Sequence, residues 1–96
     1  MKNYNDVLRR YIYHLIDPKT GAVFYVGQST DPGERLKKHV ETMSGKIADI
    51  VNGGQYPVMK IIASIDGTYT DAVALEQAEI KKFPKEQLQN KWRATL

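Results

Sequence analysis

The stretch Tyr25-Val26-Gly27-Gln28-Ser29-Thr30-Asp31-Pro32-Gly33-Glu34-Arg35-Leu36-Lys37-Lys38-His39 decides the fold of this chain. Strand-forming residues give way at Gly27 to a polar corner, and the corner leads into a capped basic helix. Asp31 suits the N-cap, where its carboxylate accepts backbone N–H groups, and Pro32 suits the first helical position. Glu34 at the third position makes a capping-box-like start. Arg35 and His39 project from one face of that helix, beside the loop that closes the strand carrying Tyr25. A phenol, a guanidinium and an imidazole at one corner suit work on a phosphate. The guanidinium forks two N–H groups onto phosphate oxygens, and the imidazole exchanges protons near neutral pH.

Upstream, residues 11–16, Tyr-Ile-Tyr-His-Leu-Ile, read as a strand. Alternation places Tyr11, Tyr13 and Leu15 on one face and Ile12, His14 and Ile16 on the other, so the strand is expected in the middle of a sheet covered on both sides. Asp17-Pro18-Lys19-Thr20-Gly21 is a turn, and residues 23–26 return antiparallel as a hairpin. Downstream, the helix from Pro32 runs to about Met43 on an apolar stripe of Leu36, Val40 and Met43. Ser44-Gly45 breaks it. Residues 46–52 form a short second helix with Ile47, Ile50 and Val51 inward. Residues 56–65 make a third strand, with Pro57 at its first residue. Thr70 then caps a helix through Phe83, which Pro84 ends. Trp92 packs the tail back onto the body.

That last helix carries an apolar stripe of Ala72, Val73, Leu75, Ile80 and Phe83, and Glu76 projects inside it. A buried carboxylate needs a cation or is neutralised by a raised pKa. Two readings stand equal on helix geometry: a buried salt bridge, to Arg35 for instance, or a ligand to a hard divalent cation that takes one or two carboxylates and keeps several waters. Glu79 and Glu86 read as ordinary surface acids. Tyr13 and Tyr25 read most simply as strand aromatics, Arg35 and His39 as solvent-facing helix residues, and His14 as a satisfied core or edge imidazole. Two histidines and no cysteine argue against a zinc site.

The bulk numbers bound the answer. Ninety-six residues with 42% apolar content suit one small domain over 1–96 with one core. No window approaches a membrane span, and the charged start does not lead into a signal-peptide core. Absent cysteine excludes a disulfide framework and fits a cytoplasmic protein. The net charge of +3 is mild. The clusters Arg9-Arg10, Arg35-Lys37-Lys38, Lys81-Lys82-Lys85 and Lys91-Arg93 are either solvated surface charge or, if they share a face, a footprint for nucleic acid.

Taken together, these residues resemble the GIY-YIG endonuclease domain. Tyr11-Ile12-Tyr13 stands for its first motif, with Tyr11 in place of the usual glycine. Tyr25-Val26-Gly27 stands for its second, with valine for isoleucine. Ser29, Arg35, His39, Glu76 and Asn90 follow in the family's order. The resemblance implies an α/β domain in which a small three-stranded antiparallel sheet is flanked by helices. It also implies metal-dependent hydrolysis of a DNA phosphodiester, with Mg²⁺ or Mn²⁺ held by Glu76. Arg35 would neutralise charge on the phosphoryl oxygens, and Tyr13 would take a proton from the attacking water or position it. That role asks for a positive charge to depress the phenol's pKa. Tyr25 and His39 would hold water or phosphate and shuttle protons, and Asn90 would hydrogen-bond near the centre. Ser29, Lys37, Lys38, Lys81 and Lys82 are the expected DNA contacts. The partner is DNA rather than a membrane, and a monomer and a homodimer both stay open. Two competing readings are a nuclease-fold module that binds DNA without cutting it and an interaction or inhibitor protein.

Overall fold

The computed structural model describes residues 6–42 and 45–89. The expectations for Met43, Ser44, Asn90, Lys91, Trp92 and Arg93 therefore lie outside the described residues. Within them run strand β1 (Leu8–Ile16), strand β2 (Val23–Ser29), helix α1 (Pro32–Thr42), helix α2 (Gly45–Asn52), strand β3 (Val58–Gly67) and helix α3 (Tyr69–Ile80). The sheet is antiparallel in the order β2-β1-β3, so β1 is the middle strand, as its apolar faces lead one to expect.

The two faces of the sheet carry two cores. Tyr13, Leu15 and Phe24 pack with Ile47 and Ile50 of α2, and Leu36 of α1 closes on them. Ile12 and Val26 pack with Ile80 of α3, joined by Phe83. Ile12, Leu15 and Val26 are fully buried, and each such side chain contributes about 1.5–3 kcal/mol. The β1–β2 turn closes where Gly21 takes φ +76°, a conformation that suits glycine. Its leading residue Asp17 accepts from the Lys19 N–H and pairs with Lys46 of α2 at 3.1 Å.

Four details differ from the sequence reading. Both β1 and β2 extend beyond the apolar runs that announce them, because ladder pairing carries on into Arg9-Arg10 and Gln28-Ser29. Pro57 precedes β3 rather than opening it. The cap of α3 is Thr68, not Thr70. The Thr68 hydroxyl accepts from the Asp71 N–H at 3.2 Å while the Asp71 carboxylate accepts from the Thr68 N–H at 2.9 Å, a reciprocal box that Thr70, with Val73 three residues on, cannot form. The buried stripe of α3 is Ala72, Glu76 and Ile80. Leu75 faces outward at 39% exposure, and Phe83 lies past the end of the helix.

Candidate active site

The corner between β2 and α1 is built as its residues dictate. The Asp31 carboxylate accepts from the Glu34 N–H at 3.2 Å, and the Asp31 carbonyl accepts the first helical bond from the Arg35 N–H. Where a capping box would return a Glu34 contact, the Asp31 N–H instead donates to Ser29 Oγ at 2.9 Å. The bond ties the end of β2 to the start of α1 and fixes where Arg35 and His39 emerge.

Gly27 lies opposite Tyr13 in the β1–β2 register. A Cβ there would run into the Tyr13 phenol and come within 2.9 Å of the Tyr25 ring. The missing side chain is thus the space in which the two tyrosines meet, their ring centroids 6.2 Å apart. His39 closes over them from α1, 6.0 Å from the Tyr13 ring and 4.8 Å from that of Tyr25, edge to face with both. The Tyr13 hydroxyl lies 2.8 Å from His39 Nε2.

The electrostatics of this group are lopsided. Burial, with Arg35 nearby, lowers the His39 pKa to about 4, so the ring is neutral at neutral pH and its Nε2 can accept from the phenol O–H. Burial raises the Tyr13 pKa above its ordinary value, and the like charge of Tyr25 adds to this; Arg35 opposes both and is outweighed. The positive charge sought to depress that phenol does not suffice within the chain itself. Arg35 stays protonated: burial works against its charge, but its interactions with Tyr13 and Tyr25 raise its pKa on balance.

Beside this cluster opens a cavity of about 270 Å³, lined by Tyr25, Gln28, Ser29, Arg35, Tyr69 and Glu76. Strand β2, helix α1 and helix α3 each supply part of the wall. Glu76 is 3% exposed, the buried acid that its place in the α3 stripe requires. Tyr25, Arg35 and Glu76, distant along the chain, border the same space. Tyr13 is fully buried beneath it and reaches the wall through Tyr25, His39 and Arg35 rather than standing in it. Asn90 lies outside the described residues. Lys37, Lys38, Lys81 and Lys82 are all exposed. Lys82 pairs with Glu79 at 2.9 Å.

The remaining landmarks are structural. Glu79 is no surface acid: its side chain is 15% exposed and accepts from the His14 N–H at 2.9 Å, across the sheet face opposite Tyr13. Arg9 pairs with Asp66, and buried Arg10 donates to the carbonyls of Gly67 and Asp6, so these two cations brace β1 against β3.

The donor set bears on the metal. Among the described residues no three His, Cys, Asp or Glu are grouped to cage an ion. One buried carboxylate facing a polar cavity fits a hard divalent cation, which takes few protein oxygens and completes its shell with water and substrate phosphate; it does not fit zinc.

Sequence reasoning missed Tyr69. Tyr69 stands seven residues before Glu76, so the helical repeat sets them on one face, a signal available once the helix start is placed at Thr68.

Comparison with known proteins agrees with the geometry. The family described as the GIY-YIG catalytic domain matches residues 9–90, which takes in both tyrosine motifs, the corner, and the helix bearing Glu76. Neither a curated protein nor a solved structure matches the chain. With both tyrosine motifs, the Arg35 corner and buried Glu76 inside the matched span, the chain belongs to the GIY-YIG family of nucleases.

Proposed function

We infer that the protein is a metal-dependent DNA endonuclease that hydrolyses phosphodiester bonds through the pocket of Tyr25, Arg35 and Glu76. The observation that carries this reading is the shared cavity. It sets a buried carboxylate, a permanent cation and a phenol around one space, with a neutral imidazole directly behind. A divalent cation such as Mg²⁺ or Mn²⁺, bound at Glu76, would supply Lewis acidity toward the scissile phosphate. Metal dependence is general in the family, and the donor set at Glu76 supports it.

The side chains divide the remaining work. Arg35 faces the phosphoryl oxygens and neutralises the charge that grows on them. Tyr25 lines the cavity and orients water or phosphate. Tyr13 is protonated at rest, so it serves as a relay: its O–H proton passes to His39 Nε2 as it accepts one from the water side. His39, neutral with a pKa of about 4, has the vacant lone pair that this transfer needs. Ser29 holds the corner in place through Asp31 and, as part of the cavity lining, would contact the DNA backbone. Lys37 and Lys38, with Lys81 and Lys82, supply exposed charge for flanking phosphates. Asn90 is assigned to the same centre by family position alone.

The test is incubation of plasmid and branched DNA with Mg²⁺ or Mn²⁺. Wild type is expected to nick or cut. Glu76→Ala and Arg35→Ala are expected to lose at least about a hundredfold in rate, and Tyr13→Phe a comparable amount. Equal cleavage by wild type and Glu76→Ala would remove the assignment.

A further inference from the structure

Glu76 is the carboxylate of the cavity wall, and one other lining residue offers an oxygen of related kind. Of the side chains that line the cavity, only those of Glu76 and Gln28 carry a carbonyl-type oxygen. The others present two phenols, a guanidinium and a hydroxyl. That hydroxyl, Ser29 Oγ, already accepts from the Asp31 N–H at 2.9 Å.

The packing of α3 on β2 sets the two residues together. Val26 of β2 packs with Ile80 of α3. Gln28 stands opposite Ile12 in the β1–β2 register, so it shares with Val26 the sheet face that α3 covers. From Val26 to Gln28 the strand advances about 6.6 Å. From Ile80 back to Glu76 the helix covers about 6 Å. The two steps match, which is why Gln28 and Glu76 reach one cavity beyond the Val26–Ile80 contact.

Hard divalent cations take oxygen from carboxylates and from amide carbonyls. An amide supplies the oxygen without the charge. Glu76 and Arg35 carry opposite formal charges in the same wall, so a cation there lacks the second negative group that would hold it firmly. A substrate phosphate supplies one. We propose that Gln28 offers its amide oxygen to the cation held by Glu76, and that its lack of charge makes firm cation binding wait on the phosphate. The inference rests on the nuclease reading for the identity of the cation.

The test measures the ion itself. Mn²⁺ binding to the full chain, without DNA, is followed by the loss of the free-ion electron paramagnetic resonance signal. Gln28→Leu is expected to weaken binding about tenfold. Gln28→Glu, which adds the charge in advance, is expected to tighten it about tenfold, and Glu76→Ala to abolish it. Far-ultraviolet ellipticity checks that each variant is folded. Equal affinity in wild type, Gln28→Leu and Gln28→Glu would overturn the proposal. Weaker binding by Gln28→Glu would do the same, since glutamate keeps the oxygen, and so would the absence of Mn²⁺ binding in both wild type and Gln28→Glu. Incubating the same variants with plasmid DNA and Mg²⁺ separates this contact from the nuclease reading. Affinities in the expected order with no cleavage sink the nuclease reading and leave the Gln28 contact standing. Cleavage that needs Glu76, beside Mn²⁺ affinities indifferent to Gln28, has the opposite meaning.

Discussion

Tyr13 and His39 share a contact that burial pushes in two directions: it keeps the phenol protonated and the imidazole neutral. The consequence for pH is signed. The folded ring titrates near 4 and an unperturbed one near 6.5, so between those values the unfolded chain binds the extra proton and stability rises with pH. Melting temperatures taken from pH 4 to 7 should climb across that window, and His39→Gln should flatten the part of the climb that this ring contributes. Gly27 gives a second prediction. Gly27→Ala places a methyl where the Tyr13 phenol lies and should destabilise by about 1–3 kcal/mol, lowering Tm by several degrees and weakening cleavage as the tyrosines shift. Glu76 was readable from sequence because a carboxylate inside an apolar stripe is a contradiction that demands a purpose. Tyr69 was not, because an aromatic at a helix start contradicts nothing. The raised pKa of Tyr13 was equally out of reach, since it depends on how completely the sheet and α1 bury that hydroxyl.

Helix α3 and strand β1 are joined by a contact outside the pocket lining. His14 follows Tyr13 directly, and Glu79 stands one turn beyond Glu76, so the bond between them fixes the two elements that bring Tyr13 and Glu76 together. Glu79→Ala should leave a half-buried imidazole N–H without its acceptor. It should cost about 1–3 kcal/mol in urea unfolding and weaken cleavage although neither residue touches the cavity. Lys82 and His14 hold the Glu79 pKa below its ordinary value despite the opposing effect of burial. The stabilisation by the carboxylate is therefore present above about pH 4.5 and disappears as acid protonates it below that value. The order and kind of the elements were legible from periodicity and capping residues, and the corner at Asp31 was legible to the residue. The start of α3 was misplaced by two residues because two threonines compete for the cap. Only the one with an acid three positions on closes the reciprocal pair.

At the scale of the whole molecule, charge and sheet order divide the labour. Sequence left Arg9 and Arg10 open between solvated surface charge and a nucleic-acid footprint, and the fold uses them as struts between β1 and β3. A run of cations says nothing about which of them will find carbonyls and carboxylates across a sheet. Lys37 and Lys38 are exposed on the same helix as Arg35, where the nuclease proposal uses them for flanking phosphates. No helix among the described residues is long and apolar enough to cross a membrane. Strand β1 is hydrogen-bonded along both edges and covered on both faces, and it carries Tyr13 at its middle. Its amide hydrogens between Leu8 and Ile16 should be the last to exchange in deuterated solvent, opening only with the entire chain. Heat or denaturant then has no route to Tyr13 that spares the rest, so the proposed cleavage activity and the ellipticity should vanish together in a single transition.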